Sequence, residues 1–309
     1  MKKIFIDGSA GTTGLRIRER LEGRTDLELL ELPELLRKDK QARKDAINEA
    51  DIVFLCLPDD AAKESVSLAE NPDTVIIDTS TAHRTAEGWV YGFAEIGNRK
   101  EQIRSAKRIA NPGCHASGFI ALAEPLIRNG ILSGDIRLSC FSLTGYSGGG
   151  KKMIADYEGA DRSVLLSGPR MYGLSQKHKH LPEMSKVCGL TTDPVFCPIV
   201  ADFYSGMEVT IPLFAGDAAG SLKEIRQVYA DYYGKETGLV RFVQDADEEG
   251  FLSAAAMSGR DDMQVSVYGN EERIILVSRF DNLGKGASGA AIQNMNLVMG
   301  IEETTGLVV

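Results

Sequence analysis

The chain has 309 residues, of which 43% are hydrophobic and 26% are charged, so it is long enough to bury two moderate cores. Its 35 basic and 44 acidic residues give a formal charge of -9 without a basic stripe or tail, which argues against nucleic-acid binding. Apolar stretches such as 52 to 57 and 118 to 123 are far shorter than the ~20 residues of a membrane span, and the start lacks a secretory apolar core. The five cysteines include no CxxC pair and are typical of reduced thiols, so we expect a cytoplasmic protein that binds no membrane.

The N-terminal third has the pattern of a parallel sheet with crossover helices. Residues 2 to 7 predict a strand that ends at Gly8, and apolar residues then recur at helical spacing up to Leu21. Further short apolar runs follow at 26 to 31, 51 to 57 and 74 to 78. This alternation predicts an α/β fold with an N-terminal doubly wound, Rossmann-type domain.

A second, α+β domain is indicated by longer, alternating, β-branched segments at 136 to 144, 195 to 213 and 263 to 280. In the last of these, residues 268 to 271 are typical of a turn between two antiparallel strands. The segment from 286 to 299 has small residues followed by helical apolar spacing, which predicts a C-terminal helix that returns to the first domain. We therefore expect a dinucleotide-binding domain at 1–114 and 286–309, and a catalytic and oligomerisation domain at 115–285.

The sequence GSAGTTG lies directly between the first strand and the first helix. Absent side chains let backbone amides approach a pyrophosphate at the positive end of the helix, and the hydroxyl groups add further donors. The candidate cofactor ligands are Gly8, Ser9, Gly11, Thr12, Thr13 and Gly14. Because the spacing is GxxGxxG rather than GxGxxG, the alternative is a tight turn that only lets helix and strand touch.

The choice between NAD and NADP depends on residues that follow the second strand. Glu31 suits a ribose hydroxyl group, whereas Arg37 and Lys38 suit an additional phosphate. The residues alone leave both cofactors open.

Cys114 is the strongest candidate nucleophile. Pro112 and Gly113 force a turn after an apolar strand, and Cys114 then begins a helix. The unpaired amides and the dipole at a helix N-terminus stabilise a thiolate. In contrast, Cys56 and Cys140 lie in apolar runs and are interpreted as core residues, because buried cysteine behaves as a small hydrophobic residue.

The sequence HKHLPE contains two of the four histidines of the chain. We interpret His180 as a general acid/base that is oriented by Glu183, three residues later, if Pro182 begins a helix. A polar loop is the ordinary alternative, and a metal site that uses His178 and His180 lacks further ligands at useful spacing, so we expect no metal. His115 and His83 are minor candidates.

Two further segments carry candidate substrate ligands. DTSTAHR follows the fourth strand at the edge where doubly wound sheets bind ligands, so Arg84 is placed to grip an anionic substrate. GYSGGGKK, with Ser147 and Lys151, ends a strand in three glycines and two lysines that are suited to a phosphate. The alternatives are a solvated loop arginine and a flexible hairpin loop.

Taken in this order, the segments GSAGTTG, DTSTAHR, ANPGCHASG, YSGGGKK, HKHLPE and DNLGKGASGAAIQNMNLVMG closely resemble those of the N-acetyl-gamma-glutamyl-phosphate reductase family. The resemblance spans almost the whole chain, and its compact length is similar to that of the shorter, type 2 branch. The ordered set of six segments is far more specific than any one of them.

The resemblance implies NADPH-dependent reduction of N-acetyl-glutamyl 5-phosphate to N-acetylglutamate 5-semialdehyde with release of phosphate, a step of arginine biosynthesis. It implies a thioester on Cys114, proton transfer by His180 and substrate contacts from His178. Ser80, Lys285 and Gly286 are then expected beside the cofactor, and a homo-oligomer, a dimer or a tetramer, is expected. Longer family members often have an aromatic residue after NPGC where this chain has His115, which leaves open whether His115 joins the site.

Three other readings compete with this one. Aspartate-semialdehyde dehydrogenase shares the domain layout and the acyl-phosphate chemistry, but the HKHLPE segment argues against it. A non-catalytic dinucleotide-binding regulatory protein would have a structural Cys114, which selective thiol modification would test. A cysteine hydrolase without a redox cofactor is disfavoured by the glycine turn.

Overall fold

The structure, a computed structural model, describes residues 1–234 and 238–309. The chain divides into two compact units, Met1–Pro112 with Ala287–Leu307 and Gly113–Gly286 with Val308–Val309. Cys114 therefore lies in the second unit, two residues beyond the division. Within the described ranges, no helix is both long and apolar enough to cross a membrane.

The regular elements alternate in the first unit and are mixed in the second. The first part of the chain has β1 (Lys2–Asp7), α1 (Thr12–Leu21), β2 (Leu27–Leu30), α2 (Lys40–Glu49), β3 (Ile52–Leu55), α3 (Asp59–Leu68), β4 (Val75–Asp78), β5 (Val90–Tyr91), α4 (Arg99–Ser105) and β6 (Arg108–Ala110). The rest has α5 (Cys114–Arg128), β7 (Ser139–Gly145), α6 (Gly150–Glu158), β8 (Arg170–Met171), α7 (Leu181–Cys188), β9 (Val195–Ala201), β10 (Met207–Phe214), α8 (Leu222–Tyr233), β11 (Val240–Phe242), β12 (Met263–Gly269), β13 (Arg273–Phe280) and α9 (Gly289–Met299).

The first unit is a doubly wound domain, as expected. Its six-stranded sheet has the order β2-β1-β3-β4-β6-β5, and all pairings are parallel. Side chains of β1 alternate between two cores: Ile4 packs with α1 and α9, whereas Phe5 packs with α2 and α3. The order reverses between β1 and β3, and ligands bind at the carboxyl edge of such a point.

The C-terminal helix belongs to the first unit, which confirms the predicted return of the chain. α9 contacts α1, α4 and β4. Within it, the side chain of Asn296 accepts a hydrogen bond from Arg24 Nη1 at 2.9 Å, and beyond it Lys100 forms an ion pair with Glu303 at 2.5 Å. The first unit thus includes a C-terminal segment that is distant in sequence from the rest of it.

The second unit has a seven-stranded sheet of order β11-β12-β13-β10-β7-β9-β8. The expected single run at 195–213 is two strands, β9 and β10, because the chain turns at 202–206 and Gly206 has a φ of +118°. The expected hairpin is confirmed, since β12 and β13 are antiparallel. One face of the sheet packs against α5 through β10 and β13.

In the glycine turn, backbone atoms of neighbouring segments lie too close to two of the glycines to leave room for a side chain. Gly8 has a φ of +91°, and a Cβ there would lie 2.3 Å from the carbonyl oxygen of Cys56. At Gly14 a Cβ would lie 2.4 Å from the Gly8 oxygen, whereas at Gly11 the nearest atom would be 3.5 Å away. The fold therefore demands glycine at positions 8 and 14 but not at 11.

This contrast predicts different stabilities for two matched variants. We expect Gly14→Ala to destabilise the first unit by about 2 kcal/mol or more because the methyl group meets backbone, and Gly11→Ala by less than about 1 kcal/mol. Trp89 is the only tryptophan and lies in the first unit, so the urea midpoint of its fluorescence reports this unit. Equal midpoints for the two variants would contradict the packing argument.

Candidate active site

Cys114 is the first residue of α5, and Gly113 precedes it in extended conformation as the N-cap. The thiol therefore lies at the amino end of a 15-residue helix, where peptide dipoles favour a negative charge. Gly286 lies against it, since a Cβ on Gly286 would be 2.9 Å from the Cys114 Cβ. A side chain at position 286 would therefore collide with the side chain of Cys114.

The buried carboxylate of Glu183 connects the start of α5 with α7. Glu183 is 1% exposed, and its Oε2 accepts a hydrogen bond from the Gly113 amide at 3.1 Å. Its Oε1 lies 3.9 Å from Nε2 of His180, the N-cap of α7. That separation is typical of an ion pair rather than of a hydrogen bond. Pro182 stands within the first turn of α7, as the sequence predicted.

Three of the four histidines form one cluster in the second unit. His178 and His180 have ring centroids 4.7 Å apart, and His115 lies 5.6 Å and 5.5 Å from them. The Nδ1 atom of His178 accepts a hydrogen bond from the His180 amide at 3.2 Å. This contact leaves Nε2 as the protonated nitrogen of a neutral His178.

His115 also belongs to a chain of buried hydrogen bonds. Its Nδ1 lies 2.7 Å from Ser142 Oγ, and its Nε2 lies 2.6 Å from the Tyr172 hydroxyl. Burial, together with the neighbouring His178, lowers the pKa of His115 to about 3. Burial raises the pKa of Tyr172, and the negative charge of Cys114 raises it further. At neutral pH both side chains are therefore uncharged.

The glycine-rich segment after β7 is helical rather than a hairpin loop. Residues 146–149 form a 3₁₀ turn that leads into α6. Ser147 is 1% exposed, and its Oγ accepts a hydrogen bond from Asn282 Nδ2 at 3.0 Å, whereas Lys151 is exposed on α6. Ser147 therefore supports the turn, and Lys151 is accessible to an anion.

In the first unit, Asp78 organises the segment after β4. Its carboxylate accepts hydrogen bonds from the amide and hydroxyl of Ser80, and lies 2.6 Å from His83 Nδ1. His83 stacks on Trp89 with ring centroids 4.1 Å apart. Arg84 donates to the carbonyl oxygens of Asn111 and Thr79 at 3.0 and 3.1 Å. The segment is thus an ordered turn rather than a solvated loop.

A cavity of about 380 Å³ lies beside the glycine turn. It is bounded by Gly8, Ser9 and Ala10, by the end of β2 at Glu31, and by Arg37 and Lys38. Glu31 forms an ion pair with Arg18 at 2.7 Å. Among the described residues, neither Arg37 nor Lys38 has an ion-pair partner. A dinucleotide fits this arrangement, since the glycine turn leaves room at Gly11 for close approach of a pyrophosphate.

The other cysteines have core environments or lack a helix terminus. Cys140 and Cys188 are buried, and burial raises the pKa of both thiols. Burial raises the pKa of Cys56 to about 12.

Lys285, expected beside the cofactor, is 1% exposed in a π-helical turn at Gly284–Ser288. Within residues 1–234 and 238–309, no group of three or more His, Cys, Asp or Glu side chains converges on a metal position.

Sequence reasoning missed Tyr172 and left His115 open. Tyr172 follows β8 in a segment without a recognisable motif, so its place beside Cys114 had no local signal. His115 had one signal, its position directly after the nucleophile. Ser142 reads only as one polar residue of an alternating strand.

Comparison with solved structures identifies the fold. Aspartate semialdehyde dehydrogenase II from Vibrio cholerae matches with a TM-score of 0.73 at 16% identity, covering 97% of this chain and 98% of that one. At this identity the likeness is one of fold alone. Residues 3–106 match the family described as semialdehyde dehydrogenase, NAD binding domain, and residues 114–282 match its dimerisation domain.

Curated relatives give a closer match over the full length. N-acetyl-gamma-glutamyl-phosphate reductase 2 from Nostoc sp. is 44% identical, with 99% of each chain covered. The N-acetyl-gamma-glutamyl-phosphate reductase from Brucella ovis is 45% identical over 96% of this chain and 99% of its own. With the glycine turn, the helix-terminal cysteine and the histidine cluster in place, the chain therefore belongs to the N-acetyl-gamma-glutamyl-phosphate reductase family, and its first unit is a nicotinamide dinucleotide-binding domain.

Proposed function

We propose that this protein reduces N-acetyl-L-glutamyl 5-phosphate with NADPH to N-acetyl-L-glutamate 5-semialdehyde and phosphate, in arginine biosynthesis. The observation that carries the proposal is Cys114 at the amino end of α5, joined through Gly113 and Glu183 to His180. Membership of the reductase family supports the substrate.

The covalent chemistry is assigned to Cys114. Its thiolate attacks the acyl carbon, the new C–S bond replaces the C–O bond to phosphate, and phosphate leaves with the electron pair. When bound, the reduced nicotinamide supplies the hydride that reduces the thioester carbon. Hydride addition leaves the oxyanion of a thiohemiacetal, which releases the aldehyde as its C–S bond breaks and the thiolate re-forms. The amino end of α5 stabilises the thiolate before and after this cycle.

His180 is assigned the proton transfers. Its Nε2 faces Glu183, so we assign proton transfer to Nδ1. A buried carboxylate on one side of the ring stabilises the imidazolium that forms when the ring takes a proton. His178 is assigned to substrate binding through Nε2, because its Nδ1 already accepts a hydrogen bond from the backbone.

The remaining substrate contacts are assigned to charged groups. Arg84 is held in place by hydrogen bonds from its Nε and Nη2 atoms to the carbonyl oxygens of Asn111 and Thr79, and its positive charge is assigned to attract the anionic substrate. Lys151 offers an exposed ammonium near the start of α6. Ser147, whose hydroxyl oxygen is engaged by Asn282, orients the same turn.

NADP is favoured over NAD by the charges around the cavity of the first unit. The acid that would bind a ribose hydroxyl, Glu31, is engaged by Arg18, whereas Arg37 and Lys38 line the cavity without a carboxylate partner among the described residues. Two such cations suit a 2′-phosphate.

A homo-oligomer is proposed from the open face of the second sheet. Phe141, Val195 and Ile275 are 44%, 58% and 42% exposed, and Cys197 pairs in register with Phe141 on the same side. A contiguous apolar face of this kind is typical of an interface between subunits.

A cytoplasmic location is proposed from the cysteines. All five are free thiols, which is typical of proteins in a reducing compartment.

The decisive experiment is a spectrophotometric assay in the reverse direction with NADP and phosphate, offering N-acetylglutamate semialdehyde or aspartate semialdehyde. We expect activity with the former and Cys114→Ser to reduce it by more than about 10³-fold while NADP still binds, because serine lacks an accessible anion. Cys140→Ser is the matched control for losing a thiol. Activity of Cys114→Ser within tenfold of the parent would refute the thioester, and a preference for aspartate semialdehyde would refute the substrate.

The histidine pair gives a second comparison. We expect His180→Asn to lower kcat by roughly 10²- to 10⁴-fold with little change in NADPH affinity, and Glu183→Gln to give a milder loss. His178→Asn should mainly raise KM. Reverse-direction kinetics over a pH series would check both, and exchanged phenotypes of the two histidine variants would reverse the assignment.

The choice between NADP and NAD is tested by a third comparison of variants. We expect the double change Arg37→Ala and Lys38→Ala to raise KM for NADP by roughly 10- to 100-fold and KM for NAD by less than about threefold, since two phosphate contacts are lost. Lys40→Ala, whose side chain pairs with Glu64, is the charge-matched control. An equal loss with both cofactors would contradict the assignment.

A further inference from the structure

The chain Ser142, His115 and Tyr172 has a single consistent direction. Ser142 is 0% exposed and His115 is 4% exposed. Among the residues that the structure describes, the only hydrogen-bond partner of the Ser142 hydroxyl is His115 Nδ1, and the only partner of the Tyr172 hydroxyl is His115 Nε2. Each hydroxyl group can donate or accept a hydrogen bond. The tautomer of the imidazole therefore decides which hydroxyl donates to the ring and which accepts from it.

The buried serine fixes that tautomer. If His115 carried its proton on Nδ1, it would donate to Ser142 Oγ, and the serine proton would be buried without an acceptor, which costs about 1–3 kcal/mol. If Ser142 donates to Nδ1, every group of the pair is satisfied. The proton of the neutral imidazole then lies on Nε2 and is donated to Tyr172. A doubly protonated ring is excluded near neutral pH, because burial and His178 lower the pKa of His115 to about 3.

This direction leaves the phenolic proton of Tyr172 for another acceptor. The Tyr172 oxygen receives the His115 proton, so its own O–H points away from the imidazole. Tyr172 is close enough to Cys114 for the charge of the thiolate to raise the tyrosine pKa, and its ring packs edge-on against His178 at 6.0 Å between centroids. The available donor thus belongs to a side chain that contacts the histidine cluster and feels the charge of Cys114.

We propose that Tyr172 is a catalytic hydrogen-bond donor to an oxygen of the acyl group at Cys114, and that Ser142 and His115 are positioning residues that hold Tyr172 in its donor orientation. The inference rests on the proposed function, because the acceptor belongs to the acyl-phosphate substrate. As the acyl carbon becomes tetrahedral, charge develops on this oxygen, and a donor fixed in advance stabilises it. No proton is transferred along the chain.

The orientation is tested without any substrate. In protein labelled with ¹⁵N-histidine, we expect the His115 ring nitrogens to report an Nε2–H tautomer that does not titrate between about pH 5 and pH 8. Assignment uses the signals lost in His115→Gln. In Ser142→Ala the Nε2–H form should lose its dominance, because Nδ1 no longer receives a proton donor. An Nδ1–H tautomer in the parent would overturn the inference.

The donor role is tested by kinetics. We expect Tyr172→Phe to lower kcat/KM in the reverse reaction by roughly 10- to 100-fold, the range for one hydrogen bond to a developing charge. Tyr233→Phe removes a phenolic hydroxyl that donates to the Ala121 carbonyl in the same unit, and should change kcat/KM less than about twofold. A loss in Tyr172→Phe no larger than that of the control would overturn the donor role.

The His115 variants separate positioning from packing. Glutamine places its amide near Nε2 and can still donate to Tyr172, whereas asparagine places its amide near Nδ1 and cannot. We expect His115→Gln to retain about tenfold more kcat/KM than His115→Asn. Equal activities would show that the imidazole only fills space and would overturn its positioning role.

Alkylation of Cys114 by iodoacetamide identifies where Tyr172 acts. The rate should stay within about twofold in Tyr172→Phe, since the donor serves the substrate oxygen and not the sulfur. An alkylation rate that falls in parallel with kcat/KM would overturn the assigned acceptor. A parent enzyme inactive with N-acetylglutamate semialdehyde would refute the proposed function, whereas the histidine tautomer is read independently of it.

Discussion

The catalytic half of the molecule depends on the hydrogen bond from the Gly113 amide to the buried carboxylate of Glu183. A carboxylate that is 1% exposed is tolerated only with compensating partners, and the amino end of α5 supplies one of them. The same carboxylate lies beside His180. One side chain therefore fixes the start of the helix that carries Cys114 relative to the imidazole assigned to proton transfer. His178 and His115 in turn contact His180.

Burial makes the neighbouring histidines chemically different. His115 is enclosed and surrounded by Ser142, Tyr172 and the other two rings, and it stays neutral because burial lowers its pKa. His180 instead lies beside the buried carboxylate of Glu183. Identical side chains within 6 Å of one another thus have different surroundings, because the protein supplies each with a different partner.

The glycines of the turn in the first unit also differ in their surroundings. Gly8 and Gly14 meet backbone atoms at distances that exclude a side chain, so the turn needs them with or without a ligand. Gly11 meets nothing so close, so packing within the turn does not require a glycine there, and its proposed role is contact with the cofactor. The proposed preference for NADP rests on a different feature, the pairing of Glu31 with Arg18 beside a cavity that Arg37 and Lys38 also line.

Much of this was accessible from the sequence. Periodicity and turn residues determined the first four strands and the first helix of the first unit, because a parallel sheet needs short apolar runs whichever strands they later pair with. The proline and glycine before Cys114 determined that the thiol begins a helix, since both act on the local backbone. The three-residue spacing from His180 to Glu183 determined that they share the start of α7, which is again a local property.

The contacts that give these residues their chemistry were decided by the tertiary structure. Gly113 meets Glu183 seventy residues along the chain, and His115 meets Tyr172 at a separation of 57. The inferred direction of the His115 hydrogen bonds depends on Ser142, whose hydroxyl has His115 as its single hydrogen-bond partner among the described residues. The sequence by itself determined which elements form and where the nucleophile lies, because backbone conformation depends on near neighbours. The partner of each buried polar group was settled only by the packing of α5, α7 and the second sheet, because burial and hydrogen bonding between distant residues leave no periodic signal in the chain.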